Sequence, residues 1–82
     1  MSLTLYQMPF CPYCVDVRRA AEELGIELHY VDVGRDREAR NMLYERRGRG
    51  TVPVLGIPED GGERLMGESQ DIIAYLRDVV AA

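Results

Sequence analysis

A short apolar stretch, Leu3-Thr4-Leu5-Tyr6, runs into Pro9 and Pro12 and then into a segment whose apolar residues, Val17, Ala20, Ala21 and Leu24, recur at helical spacing. Such a switch predicts a short buried strand turned within a few residues into an amphipathic helix. Pro12 suits the first turn of that helix, where its missing N–H costs no hydrogen bond. Gly25 stops it. Both cysteines of the chain, Cys11 and Cys14, sit at this junction in the run Cys11-Pro12-Tyr13-Cys14.

Thiols three positions apart at a helix start lie on one turn and can close a small disulfide ring. The unpaired N–H groups and dipole of a helix N-terminus favour the thiolate. A cysteine in that setting has its pKa lowered from about 8.5 into a range of roughly 3.5–7.5. Cys11 is therefore the candidate nucleophile and Cys14 the candidate resolving thiol. A ring closed over so few residues adds little loop-closure stabilisation, which argues against a structural staple. Zinc wants four ligands. Only His29 and scattered carboxylates could join the cysteine pair, so no metal is expected, and His29 is read as structural or exposed.

Farther along, 27–33 alternates polar and apolar residues and predicts a strand; 34–47 is charged, with Ala39, Met42 and Leu43 on one side, and predicts a second helix. Gly48-Arg49-Gly50 reads as a loop. A third strand is expected over 52–57, with Pro53 tolerated at its start, then a turn over 58–62 and a fourth strand over 63–66. Glu68-Ser69 opens a last helix with Ile72, Ile73, Leu76, Val79 and Val80 facing inward. The order β-α-β-α-β-β-α predicts an α/β fold with a four-stranded mixed sheet and helices on both faces. At 82 residues, 1–82 is expected to be a single domain.

Net charge is −4, which argues against general nucleic-acid binding. All ten basic residues are arginine. No run approaches the roughly 20 apolar residues that span a bilayer, and Met1-Ser2-Leu3-Thr4 lacks the basic and apolar regions of a secretory leader. The expected setting is a reducing cytoplasm, where a cysteine pair does chemistry.

With Cys-Pro-Tyr-Cys after the first strand and Thr51-Val52-Pro53 after the second helix, the whole chain resembles the thioredoxin fold, and the tetrapeptide resembles the active site of dithiol glutaredoxins. Gly67-Glu68-Ser69 departs from the common glutaredoxin ending, Gly-Gly followed by Cys-Asp-Asp. It resembles instead the Glu-Ser motif of glutathione S-transferase N-terminal domains and of the glutaredoxins related to them. The resemblance implies a thioredoxin-like three-layer α/β/α domain acting as a glutathione-dependent thiol–disulfide oxidoreductase on protein or glutathione mixed disulfides. Glutathione would be its co-substrate and disulfide-bearing proteins its partners, with the domain a monomer.

The resemblance also implies a glutathione site. Tyr13 would lie beside the tripeptide, with Phe10 either beside it or simply exposed. Thr51, Val52 and Pro53 would form a cis-proline loop that leaves the Val52 backbone free to pair with an extended peptide. The helix start at Ser69 would attract the γ-glutamyl α-carboxylate, and Glu68 its ammonium. The glycyl carboxylate would fall to Arg49 or Arg47, while Arg35, Arg37, Arg40 and Arg46 form a solvated face. Ser69 also suits an ordinary N-cap that accepts a backbone N–H.

Two departures shape the expectation. Where glutaredoxins often carry lysine, three residues before the first cysteine, this chain has Met8, so thiolate stabilisation would rest on the helix end and local hydrogen bonds. A transferase takes its electrophile in a C-terminal helical domain, and the sequence stops at Ala82. The alternatives are a thioredoxin-like reductase using another thiol donor and a non-catalytic binding module.

Overall fold

Side chains of the first strand, β1 (Leu3–Gln7), alternate between two apolar layers, and this sets the architecture. In the computed structural model, which describes residues 2–82, Leu3 and Leu5 face one layer and Tyr6 the other. Met1, where the N-terminal segment considered above begins, lies outside the described residues. The chain continues through α1 (Pro12–Leu24), β2 (Leu28–Asp32), α2 (Arg37–Arg47), β3 (Val54–Glu59), β4 (Gly62–Met66) and α3 (Ser69–Ala81). The sheet order is β2-β1-β3-β4. β1 runs parallel to β2 and antiparallel to β3, and β3 runs antiparallel to β4. The result is the four-stranded mixed sheet that the element order predicts, in the thioredoxin-like α/β form that the resemblance implies.

Helices α1 and α3 cover one face. Val17 and Ala21 meet Ile72, Ile73 and Leu76 over Leu3, Leu5, Leu55 and Ile57. Helix α2 covers the other face, where Leu43 packs with Tyr6, Val33 and Val54. Because β1 and β3 are sandwiched between layers, they bury residues on both sides, as central strands of such sheets do. On the α2 side the Tyr6 hydroxyl donates to Glu63 Oε1 at 2.8 Å, and Arg46 Nη2 donates to the Glu63 carbonyl at 2.6 Å. Gly56 lies beneath this cluster, where a Cβ would collide with the Glu63 carboxylate.

The helix ends follow local chemistry. Gly25, at φ +71°, closes α1 in a Schellman motif, with Ile26 N–H bonded to the Ala21 carbonyl at 2.9 Å and Gly25 N–H to that of Glu22 at 3.1 Å. Asp36 caps α2 by accepting from Ala39 N–H at 3.0 Å. That cap starts the helix at Arg37, later than the segment 34–47 suggests.

Two strand bounds also differ from expectation. β3 begins at Val54, because the Val52–Pro53 peptide is cis and stands outside the ladder with β1, which starts at Val54. The hairpin turn is shorter than 58–62: β3 runs through Pro58 to Glu59, and only Asp60 and Gly61 separate the strands. Proline is accommodated there because the β1–β3 ladder ends at Gly56, so no partner in β1 needs an N–H from position 58.

Candidate active site

Cys11 occupies the N-cap of α1 with extended backbone, φ −74° and ψ 120°, and Pro12 takes the first helical turn. The Cys11 carbonyl accepts from Val15 N–H at 2.9 Å, and its own N–H donates to the Met8 carbonyl at 3.3 Å. Its thiol is half-buried, whereas Cys14, one turn along, is fully buried. Around them the loop and the first turn of α1 expose apolar side chains: Phe10 is 95% exposed, Tyr13 63% and Met8 44%. One sulfur thus meets solvent while the other waits beneath it. This arrangement permits attack on an external disulfide followed by intramolecular closure.

Burial pushes the Cys14 thiol up to about 11, while the Met8 backbone pulls it down and the neighbouring Cys11 thiol raises it further. A folded-state pKa above the unfolded value, about 8.5 for cysteine, marks stability that is present below pH 8.5 and lost as pH climbs through 11. Tyr6, pushed up to about 12 first by burial and then by Glu63, acts in the same sense at higher pH. Reduced protein unfolded in urea at pH 10 is expected to be less stable than at pH 8 by about 1–2 kcal/mol. Cys14→Ser should remove most of that difference; an unchanged difference would place its origin elsewhere.

Next to the cysteines opens a cleft of about 410 Å³. Tyr13 of α1 forms one wall. Arg49, Thr51, Val52 and Pro53 supply the second, and Glu68 and Ser69 the third. Every residue expected at a glutathione site on the strength of the resemblance therefore meets in one place. Neither cysteine lines the cleft; Tyr13, between them in sequence, joins the two features. Phe10 stands outside it, and His29 is exposed on β2.

Glu68 is the N-cap of α3 and has φ +64° and ψ 115°, the single non-glycine residue with positive φ among the described residues. Such a conformation costs about 1–3 kcal/mol and persists only where the surroundings impose it. No side-chain cap bond is made at this helix start, so the N-cap role anticipated for Ser69 is not found. Ser69 is instead the first helical residue, buried at the cleft wall. The α3 N-terminus therefore faces the cleft with its amide dipoles uncovered by a capping side chain.

Arg49 is exposed at the rim, whereas Arg47 reaches deeper. The Arg47 guanidinium occupies the space where a Cβ at position 67 would stand, so Gly67 makes room for it. Its Nε is buried and has no hydrogen-bond partner. Gly67 and Gln70 also line the cleft, although neither was expected to; their signal was adjacency to Glu68-Ser69. Among the described residues no group of three or more His, Cys, Asp or Glu side chains is placed to hold a metal ion, and no helix is long and apolar enough to cross a membrane.

Known proteins resemble the chain in sequence and in fold. A glutaredoxin of Vernicia fordii is 29% identical over 69 residues, which cover 80% of this chain and 64% of that protein. Among solved structures, a trimeric glutathione transferase of Leishmania superposes with a TM-score of 0.80 at 32% identity, over 95% of this chain. A maleylacetoacetate isomerase of Anaeromyxobacter dehalogenans, solved with glutathione in its active site, superposes with a TM-score of 0.72 at 26% identity, over 98% of this chain. The chain spans only 18% of the Leishmania chain and 38% of the isomerase chain. Residues 5–81 match the family described as "Glutathione S-transferase, N-terminal domain". With its thioredoxin-like sheet and a match across nearly its whole length, the chain belongs to the family of glutathione S-transferase N-terminal domains and has distant glutaredoxin relatives.

Proposed function

We propose that the protein is a glutathione-dependent thiol–disulfide oxidoreductase of the glutaredoxin type. The observation that carries this reading is the pairing of a half-exposed Cys11 at a helix N-terminus with a buried Cys14, beside a cleft that gathers an uncapped helix start and two arginines. Cys11, as thiolate, attacks the glutathionyl sulfur of a mixed disulfide. A bond forms between Cys11 and that sulfur, and the substrate thiolate leaves and takes up a proton. A second glutathione thiolate then attacks the glutathionyl sulfur, which frees Cys11 and releases oxidised glutathione. For a protein disulfide, Cys14 can instead close the ring on Cys11.

In the cleft, the α3 N-terminus and Ser69 N–H attract the γ-glutamyl carboxylate, and the Glu68 carboxylate takes the ammonium. The Val52 backbone pairs with the cysteinyl residue, Tyr13 lies along the tripeptide, and Thr51 and Pro53 shape the wall beneath it. Arg47, with its unpartnered Nε and its seat against Gly67, suits the glycyl carboxylate better than rim-exposed Arg49.

Calorimetric titration with glutathione tests the reading. Binding is expected in or below the millimolar range. Arg47→Ala should weaken it roughly tenfold or more, the scale of a lost charged hydrogen bond, and Arg49→Ala by no more than about fivefold, as for an exposed ion pair. No detectable binding up to tens of millimolar would move the protein to a different thiol donor.

A further inference from the structure

Arg18 lies one turn beyond Cys14 on the same side of α1. Long helical side chains lean toward the helix N-terminus, and Arg18 does so: Nη2 donates to the Pro9 carbonyl at 2.8 Å, and Nη1 donates to Gln7 Oε1. Gln7 ends β1 and is one of two buried polar residues among those described. One guanidinium therefore ties together the last residue of the central strand, the loop that carries Cys11 and the second turn of α1. The Met8 carbonyl of that loop accepts from Cys11 N–H at 3.3 Å, and the Met8 backbone favours the Cys14 thiolate.

We propose that Arg18 is a positioning residue for ring closure, the attack of Cys14 on Cys11, by pinning the Met8–Cys11 segment over the buried sulfur. This rests on the dithiol reading given above. In ring closure the Cys14 thiolate attacks the Cys11 sulfur of a mixed disulfide. The Cys11–Cys14 bond forms, the bond from Cys11 to the substrate sulfur breaks, and the substrate leaves as a thiolate that takes up the proton Cys14 gave to solvent. The two protein sulfurs are oxidised together by two electrons, and the substrate disulfide is reduced by two.

The two steps depend on Arg18 unequally. The first needs only that Cys11 be reachable, and Cys11 is already half-exposed at the head of α1. The second needs a fully buried sulfur aligned behind it, and small misplacements of reacting atoms cost large factors in rate. Arg18 also brings a cation near Cys14 that favours its thiolate.

Stopped-flow reaction of the reduced protein with excess 5,5′-dithiobis(2-nitrobenzoate) separates the steps. Attack by Cys11 releases one nitrothiobenzoate and ring closure by Cys14 releases a second. Arg18→Met is expected to change the first release less than threefold and to slow the second by about tenfold or more. Arg18→Lys, which keeps the cation and can donate one hydrogen bond to Pro9, is expected to recover part of that loss. Gln7→Met removes only one acceptor and keeps the test open if Arg18→Met fails to fold; selective slowing of the second release, by a smaller factor, is expected. Equal slowing of both releases, or an unaffected second release in Arg18→Met (in Gln7→Met should Arg18→Met fail to fold), overturns the proposal. No glutathione is present in this assay, so such a result leaves the cleft reading standing. A parent protein that gives no second release removes the dithiol reading and this proposal together.

Discussion

Cys11→Ser is expected to abolish turnover of a small glutathione mixed disulfide coupled to glutathione and glutathione reductase, by at least about a thousandfold, because a hydroxyl at that position is not an ionised nucleophile at neutral pH. Cys14→Ser should retain turnover within about threefold of the parent, since glutathione itself can resolve the intermediate. The asymmetry follows from exposure: Cys11 is half-buried at the head of α1, while Cys14 has no solvent contact. Toward a protein disulfide that depends on ring closure, both variants should be impaired. Equal loss in the two variants on the small substrate would contradict the monothiol route. Activity retained by Cys11→Ser would remove Cys11 from the chemistry altogether.

Leu5→Ala should cost about 2–5 kcal/mol, the range for truncating a fully buried aliphatic side chain. Leu5 has no exposed surface, sits in the central strand between Tyr30 of β2 and Leu55 of β3, and belongs to the layer shared with Val17, Ala21, Ile72 and Leu76. A domain of this size has a total stability of roughly 4–12 kcal/mol. The melting temperature should fall by about 8–40 °C, at 4–8 °C per kcal/mol for a small domain. Val80→Ala, on the half-exposed side of α3, provides the contrast and should stay within about 0.5 kcal/mol of the parent. A Leu5→Ala protein that melts within a few degrees of the parent would mean that the α1/α3 layer is not the principal core. Unlike the cysteine variants, this one tests the fold without touching the chemistry.

Much of the molecule is legible along the chain because the forces concerned act over a few residues. Val17, Ala20, Ala21 and Leu24 repeat at helical spacing and form the inward face of α1; Gly25 ends it with a left-handed turn that a Cβ would disfavour. Asp36 stands three residues before Ala39, the spacing at which an N-cap carboxylate meets a free N–H, and it caps α2 there. By composition Val52 and Pro53 look like strand residues, yet β3 starts at Val54, and only the course of the backbone takes them out of the ladder.

The candidate site divides along the same line. By itself the sequence determined the order of elements, the pairing of both cysteines at a helix start and the presence of Glu68-Ser69 at another, since periodicity, capping and dipole chemistry operate within a turn or two. Tertiary structure alone decided that Tyr13, Arg47, Val52 and Ser69 share a cleft, that Arg47 rather than Arg49 reaches inward against Gly67, and that Arg18 clasps Gln7 and Pro9. Those meetings require β3 to lie antiparallel beside β1 and α3 to pack on α1. They are set by burial of both faces of one sheet, a property of the whole chain that no local stretch of residues encodes.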